Sequence, residues 1–142
     1  MTFELFFTVE GNPRGKGRPR FSRVGKFTKT YTDAKTKAYE QIIAEAATEA
    51  MKGRKPLETP LVVQMRFGMP IPSSYPKKRK EACLSGLEMP TKKPDIDNIA
   101  KAFLDAMNAI VYVDDVQVVR LIAQKYYSTA PSVFITITEI LY

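Results

Sequence analysis

Histidine is absent from this 142-residue chain, and cysteine occurs once, as Cys83. Without histidine the chain cannot build a Ser-His-Asp triad, use a histidine general base or bind zinc through imidazole. A single thiol forms neither an internal disulfide nor a zinc site. Any catalysis must therefore rely on carboxylates, lysine, tyrosine or a bound metal ion.

Long apolar runs are also missing. No run approaches the 18 residues of a membrane span, and the first eleven residues carry Glu4 without the cationic lead-in of a signal peptide. We therefore expect a cytoplasmic protein with no membrane partner. The chain is nevertheless 44% apolar, and its length fits one domain covering residues 1–142 with a real core.

Negative charge is scarce relative to positive charge. The 22 lysines and arginines outnumber the 15 acidic residues, which gives a net charge of +7. This balance favours a polyanionic partner, with nucleic acid first and an acidic membrane second, although many housekeeping proteins are equally basic.

Much of the positive charge lies between Gly11 and Thr32, where seven cations occur without an acid: Arg14, Lys16, Arg18, Arg20, Arg23, Lys26 and Lys29. A glycine-rich arginine loop suits a phosphate backbone, and interleaved aromatics can stack on an unpaired base. The alternative is a solvated surface loop. The candidate DNA contacts are Arg14, Lys16, Arg18, Arg20 and Arg23. A second patch, Lys77–Lys80, is as readily a solvated surface as a binding surface.

The apolar periodicity predicts a small α/β or α+β domain with a mixed β-sheet and two main helices. Strands are expected at residues 2–9 and 61–69, and a loop at 11–29 with a short hairpin around Arg23–Phe27. A helix capped by Thr32 or Asp33 should bury Tyr39, Ile42, Ile43, Ala46 and Ala50 and expose Glu40, Glu45 and Glu49. Further elements are a short helix at 76–84, a helix at 98–109, and a final β-hairpin of 117–127 with 132–141.

The most informative residues are acidic. Asp95 and Asp97 are two apart in a segment expected to be extended, so both carboxylates should point the same way and form a cradle for a hard cation. Lys101 lies one helical turn beyond Asp97. A metal ion with a nearby ammonium is what phosphodiester hydrolysis needs.

Each piece also has an ordinary interpretation. Asp95 and Asp97 are compatible with turn and helix-capping roles, Asp114–Asp115 with a simple turn, and Lys101 with a helical ion pair to Asp105. An EF-hand loop starting at Asp95 fails, because its sixth and twelfth positions are Ala100 and Ala106. Phosphate-loop motifs are absent as well.

Taken together, the segment resembles the signature of the RusA family of Holliday junction resolvases. The matching residues are Lys93-Pro94-Asp95-Ile96-Asp97-Asn98-Ile99-Ala100-Lys101, then Asp105-Ala106, and then Val113-Asp114-Asp115-Val116-Gln117-Val118-Val119. The resemblance implies a homodimeric, Mg²⁺-dependent nuclease. Carried over by position, it implies that Asp95, Asp97 and Asp115 are catalytic metal ligands and that Lys101 is a catalytic lysine. It also implies that cleavage leaves 5′-phosphate ends.

Three hypotheses follow from the sequence. The first is an endodeoxyribonuclease that resolves four-way DNA junctions in recombination and repair, with two sites about a two-fold axis matching the symmetry of the junction. The second is a non-enzymatic nucleic-acid-binding module, which gives no reason to place carboxylates beside DNA. The third is a metal enzyme for a small phosphate ester, which gives no reason for so long a cationic loop.

Overall fold

The computed structural model describes residues 3–17, 20–25, 27–31 and 33–140, and for strands 20–24 and 27–31 it describes the backbone only. It shows a mixed α+β fold with a four-stranded mixed sheet and three α-helices. In chain order the elements are β1 (Glu4–Glu10), β2 (Arg20–Val24), β3 (Phe27–Tyr31), α1 (Ala34–Met51), β4 (Leu61–Pro70), α2 (Lys77–Ser85), α3 (Ile96–Met107), β5 (Val118–Ser128) and β6 (Ser132–Glu139).

The main sheet has the strand order β1-β6-β4-β5, with β4 parallel to β5 and antiparallel to β6. The expected hairpin between the last two strands is therefore wrong, because β4 lies between them. Residues 129–131 offer no tight-turn pair such as Asn-Gly, and β4 carries a fully buried row, Val63, Met65 and Phe67, which suits a central strand. The connection from β5 to β6 passes Gly68 of β4, where an added Cβ would lie 3.2 Å from the carbonyl oxygen of Ser132.

Helix α1 covers one face of this sheet. Asp33 caps it as expected, since its Oδ1 accepts a hydrogen bond of 2.8 Å from the Thr36 N–H. Tyr39 and Ile43 are buried, but Ile42 is 50% exposed and does not belong to the core face. Ile42 is rotated about 100° from Ile43 around the helix, which takes it to the edge of the apolar stripe.

Helix α3 packs beside α1 on the same face of the sheet. Ile99, Phe103 and Met107 are fully buried, as their spacing predicts, and Ala106 is partly buried. The Phe103 ring meets the Tyr39 ring edge to face, with 5.8 Å between centroids. The helix begins at Ile96, two residues earlier than expected, and this shift changes the position of Asp97.

The cation-rich residues 11–32, here called the basic segment, contain a separate two-stranded sheet of β2 and β3, in which Val24 pairs with Phe27. The short hairpin expected around Arg23–Phe27 is confirmed. Arg18 and the side chains of Arg20 and Arg23 lie outside the described residues, so their DNA-contact role stays a prediction.

The second face of the main sheet carries exposed apolar groups within the part of the chain that the structure describes. Phe6 on β1 is 60% exposed, and Ile122 on β5 is 38% exposed. In the same described part, no helix has the length and apolar character to cross a membrane.

Candidate functional site

The start of α3 presents two free carboxylates. Asp95 is the N-cap residue and Asp97 lies in the first turn, so Asp97 belongs to the helix and not to the extended segment expected from the sequence. Asp95 makes no side-chain capping hydrogen bond, although aspartate at an N-cap commonly does. Both residues are exposed, and among the described residues neither carboxylate has a hydrogen-bond or ion-pair partner.

Strand β5 fixes the chain just before these aspartates. The Nζ of Lys125 donates hydrogen bonds to the carbonyl oxygens of Lys92, at 2.7 Å, and Pro94, at 2.9 Å. Because Lys125 belongs to a paired strand, it holds the backbone that precedes Asp95 against the sheet. Nothing in the sequence pattern singles out this lysine.

Lys101 lies four residues beyond Asp97, and the two therefore share one side of α3. Its side chain is 64% exposed, and its Nζ lies 3.6 Å from Oδ2 of Asp105. The expected helical pair of Lys101 and Asp105 is thus present, but it leaves most of the Lys101 side chain open to solvent.

Asp115 lies at the other end of α3. Its backbone N–H donates a 2.9 Å hydrogen bond to Oδ1 of Asn108, the C-cap residue of the helix. Eleven residues of helical rise separate Asn108 from Asp97, which is about 16 Å. Asp115 of one chain therefore does not join Asp95 and Asp97 in a single cluster, contrary to the sequence expectation. Accordingly, the described residues contain no group of three acidic, histidine or cysteine side chains placed to hold a metal ion.

Asp114 and Asp115 have different surroundings. Asp114 caps the 3₁₀ turn Asp115–Gln117: its Oδ1 accepts from the Val116 N–H at 3.2 Å, and its own N–H donates to Oε1 of Gln117 at 3.0 Å. Partial burial raises the pKa of the Asp115 carboxyl, and its contact with Asp114 raises the pKa further. Asp114 thus has a structural task that Asp115 does not share.

Residues 13–17, here called the strap, lie against the N-terminal ends of α1 and α3. The Lys16 N–H donates to the carbonyl oxygen of Asn98 at 3.1 Å, and the Gly17 N–H donates to Oγ1 of Thr36 at 2.9 Å. A Cβ on Gly15 would lie 3.1 Å from side-chain atoms of Pro94 and Asn98. The strap needs small residues because its backbone touches both helices.

Lys16 points from the strap between the two helices. Its Nζ lies 2.6 Å from Oδ2 of Asp105 and 3.1 Å from Oε1 of Glu40, and the side chain is 22% exposed. Burial acts to lower the pKa of this ammonium, but the hydrogen bond to Asp105 and the ion pair with Glu40 outweigh burial and raise the pKa. Glu40 is half-buried here, so the expectation of an exposed Glu40 is wrong. No sequence signal links Lys16 to a carboxylate 89 residues away.

A cleft of about 1060 Å³ lies between the strap, the first turn of α1 and the start of α3. Asp95 stands on its wall together with the cationic residues Arg14, Lys35 and Lys93. Arg14 and Lys35 are exposed. A cleft that combines a free carboxylate with cations suits a phosphate group approached by a metal ion.

The second basic patch, Lys77–Lys80, lies on α2 and is only partly free. Arg79 pairs with Glu88 through a 2.9 Å contact from its Nε to Oε1, and its guanidinium lies 3.7 Å from the centre of the Tyr75 ring. Lys77 and Lys78 are exposed. Arg79 therefore stabilises the segment around α2. Lys77 and Lys78 are the lysines of this patch that are exposed to a ligand.

Comparison with known proteins identifies the family. Residues 10–138 match the family described as Endodeoxyribonuclease RusA, so the chain belongs to the RusA endodeoxyribonuclease family. It is similar to the uncharacterized protein YqaN of Bacillus subtilis (strain 168), with 39% identity over 137 residues that cover 94% of this chain and 95% of the relative.

Proposed function

We propose that this chain is a Mg²⁺-dependent endodeoxyribonuclease that resolves four-way DNA junctions in recombination and repair, acting as a cytoplasmic homodimer. The observation that carries the proposal is the presence of two unengaged carboxylates at the start of α3, with Asp95 on the wall of a cationic cleft and Asp97 in the first turn of the helix. Membership of the RusA family supports the reaction class.

The donor set fits magnesium. Mg²⁺ in nucleotide-processing sites is commonly bound by one or two carboxylates, with water and substrate phosphate completing its shell. Asp95 and Asp97 supply two oxygen donors that no described side chain neutralises. When bound there, the ion would supply an activated water and neutralise phosphate charge.

Lys101 is proposed to act on the phosphate. It lies one turn from Asp97, and its ammonium is largely exposed. In this position it holds a phosphate oxygen and stabilises negative charge that develops during hydrolysis. Cleavage would leave 5′-phosphate and 3′-hydroxyl ends.

A homodimer is proposed on two grounds. The sheet face opposite the helices exposes Phe6 and Ile122 on its two edge strands, with Thr136 and Gln64 between them, and a second copy could cover it. Two sites about a two-fold axis would match a four-way junction. A dimer also gives Asp115 a catalytic role despite its distance from Asp97 in the same chain. We propose that Asp115 serves the Asp95–Asp97 pair of the other copy.

The cleft and the basic segment are proposed to bind the sugar-phosphate backbone of DNA. Arg14 is exposed on the wall of the cleft beside Asp95, and Arg18, Arg20 and Arg23 follow it along the chain. Lys16 is already paired with two carboxylates and is better placed to anchor the strap than to contact phosphate.

One assay tests the proposal. Purified protein is incubated with an end-labelled synthetic four-way junction in Mg²⁺ or in EDTA, with a linear duplex of the same arm sequence as the control. Paired nicks in the junction arms in Mg²⁺ alone are expected, with little cutting of the duplex. Junction binding without nicking in any divalent cation would instead favour a non-enzymatic DNA-binding module.

A further inference from the structure

Two lysines from distant parts of the chain share one carboxylate oxygen. Oδ2 of Asp105 lies 2.6 Å from Nζ of Lys16 and 3.6 Å from Nζ of Lys101. Lys16 comes from the strap and is 22% exposed, whereas Lys101 stands on α3 and is 64% exposed. The shorter, less exposed contact is the stronger one, because a charged pair gains strength with proximity and is weakened by solvent screening.

We infer that Lys16 is a positioning residue for Lys101: by holding Asp105 more closely, it weakens the hold of Asp105 on the Lys101 ammonium and leaves that ammonium available to the substrate phosphate. The inference rests on the proposed function for the role of Lys101, but the competition for Asp105 stands on geometry alone. If Lys16 were neutral, Asp105 would have Lys101 as its remaining cationic partner among the described residues.

Glu40 makes this arrangement stable. It contributes a second carboxylate to Lys16 at 3.1 Å from α1, so Lys16 is held from two helices at once. The backbone bonds of Lys16 to Asn98 and of Gly17 to Thr36 fix the strap at the same place. Lys16 therefore cannot easily leave Asp105, and Lys101 remains the more weakly held of the two lysines.

Competitive amine labelling measures this without any nuclease assay. Trace acetic anhydride is applied to the folded protein, and the extent of acetylation at Lys101 is read by peptide mass spectrometry. Contact with a carboxylate slows the reaction because it favours the protonated, unreactive amine. In Lys16→Met, labelling of Lys101 should fall about two- to fivefold, the range expected for a partly exposed ion pair. In Lys16→Met combined with Asp105→Asn, it should return to the wild-type rate.

Asp105→Asn alone is the most direct test and leaves the Lys16–Glu40 pair in place. Because Asp105 is already occupied by Lys16, this change should alter Lys101 labelling by less than about twofold. A several-fold rise would show that Lys101 is the main partner of Asp105 and would overturn the inference. The same conclusion would follow if Lys16→Met left Lys101 labelling unchanged. Lys37→Met, which removes an exposed lysine of α1, is the matched control and should have no effect on Lys101.

Junction cleavage provides the second readout. Lys16→Met should lower the single-turnover cleavage rate at saturating protein, and adding Asp105→Asn should restore most of it. A merely structural role for Lys16 predicts no such rescue, since the double variant lacks the same anchor. If the labelling pattern holds but the wild type cuts no junction, the proposed function fails while the competition for Asp105 stands.

Discussion

Oδ1 of Asn108 accepts a 2.9 Å hydrogen bond from the backbone N–H of Asp115, and this contact places Asp115 at the C-terminal end of α3. Asp95 and Asp97 occupy the other end of the same helix. The helix thus separates the acidic residues that the RusA signature groups together, and this separation leads to a prediction about the proposed dimer.

Asp115→Asn should abolish cleavage, whereas Asp114→Asn should retain it, because Asp114 caps a 3₁₀ turn and Asp115 is the proposed ligand. Mixing inactive Asp95→Asn and Asp115→Asn subunits tests how the site is built. If Asp115 serves the other copy, a mixed dimer has one intact site and should nick one strand of a junction. Complete inactivity of verified mixed dimers would place each site within one chain.

Asp95→Asn and Asp97→Asn should each reduce cleavage by about 100-fold or more, since even outer partners of metal ligands matter 10- to 100-fold. Junction binding should stay intact or become tighter, because a neutral amide binds Mg²⁺ poorly but does not repel phosphate. Cleavage rate and gel-shift affinity are measured on the same preparations. Wild-type cleavage by either variant would remove that residue from the metal site.

Lys101→Ala should lower the single-turnover rate by about 10²- to 10³-fold, the cost of removing one preorganised charge-stabilising group. Mg²⁺ binding, followed by calorimetry, and the thermal melt should be unchanged because the side chain is largely exposed. Lys125→Ala is the contrasting variant, because Lys125 has a structural role: it donates hydrogen bonds to two backbone carbonyls before Asp95. A melting temperature that fell with Lys101→Ala would indicate a structural role instead.

How well the sequence predicts a feature of the structure depends on how far apart along the chain the interacting residues lie. Local signals predict the Asp33 cap and the buried stripe of Ile99, Phe103 and Met107, since both depend on residues within a few positions of one another. The insertion of β4 between β5 and β6 was missed, because strand pairing is decided by contacts far apart in the chain.

The candidate site follows the same rule. Asp95, Asp97 and Lys101 could be grouped from their spacing, because they lie on one short segment. The contact of Lys16 with Asp105 spans 89 residues and could not be read from any motif. Asp115 was expected beside the pair because the family signature gives order along the chain and not distance in space.

The strap provides a prediction about stability. Gly17→Ala should destabilise the fold by about 1–3 kcal/mol, since the added Cβ would collide with the Asp33 carboxylate and lie 2.8 Å from Oγ1 of Thr36. Gly15→Ala is the milder comparison, with its nearest neighbours at 3.1 Å. Chemical denaturation of both variants measures the difference. An equal or smaller effect for Gly17→Ala would show that the strap is not seated on α1 in solution.

The basic segment should bind DNA through charge and shape, without reading bases, because its glycines and arginines suit phosphates and its sequence pattern predicts no recognition helix. Replacing Arg14, Arg18 and Arg20 together with glutamine should weaken binding to all junction sequences alike. It should also reduce the slope of log affinity against log salt by roughly 2–3, near one unit for each phosphate that is no longer neutralised. Cleavage at saturating protein should survive, because Asp95, Asp97 and Lys101 are unchanged.

The matched control removes the same charge from α2 by replacing Lys77, Lys78 and Lys80. Gel shifts across a salt series on both triple variants decide between the surfaces: a reduced slope only in the arginine variant supports the basic segment, and a reduced slope only in the lysine variant moves the DNA contact to α2.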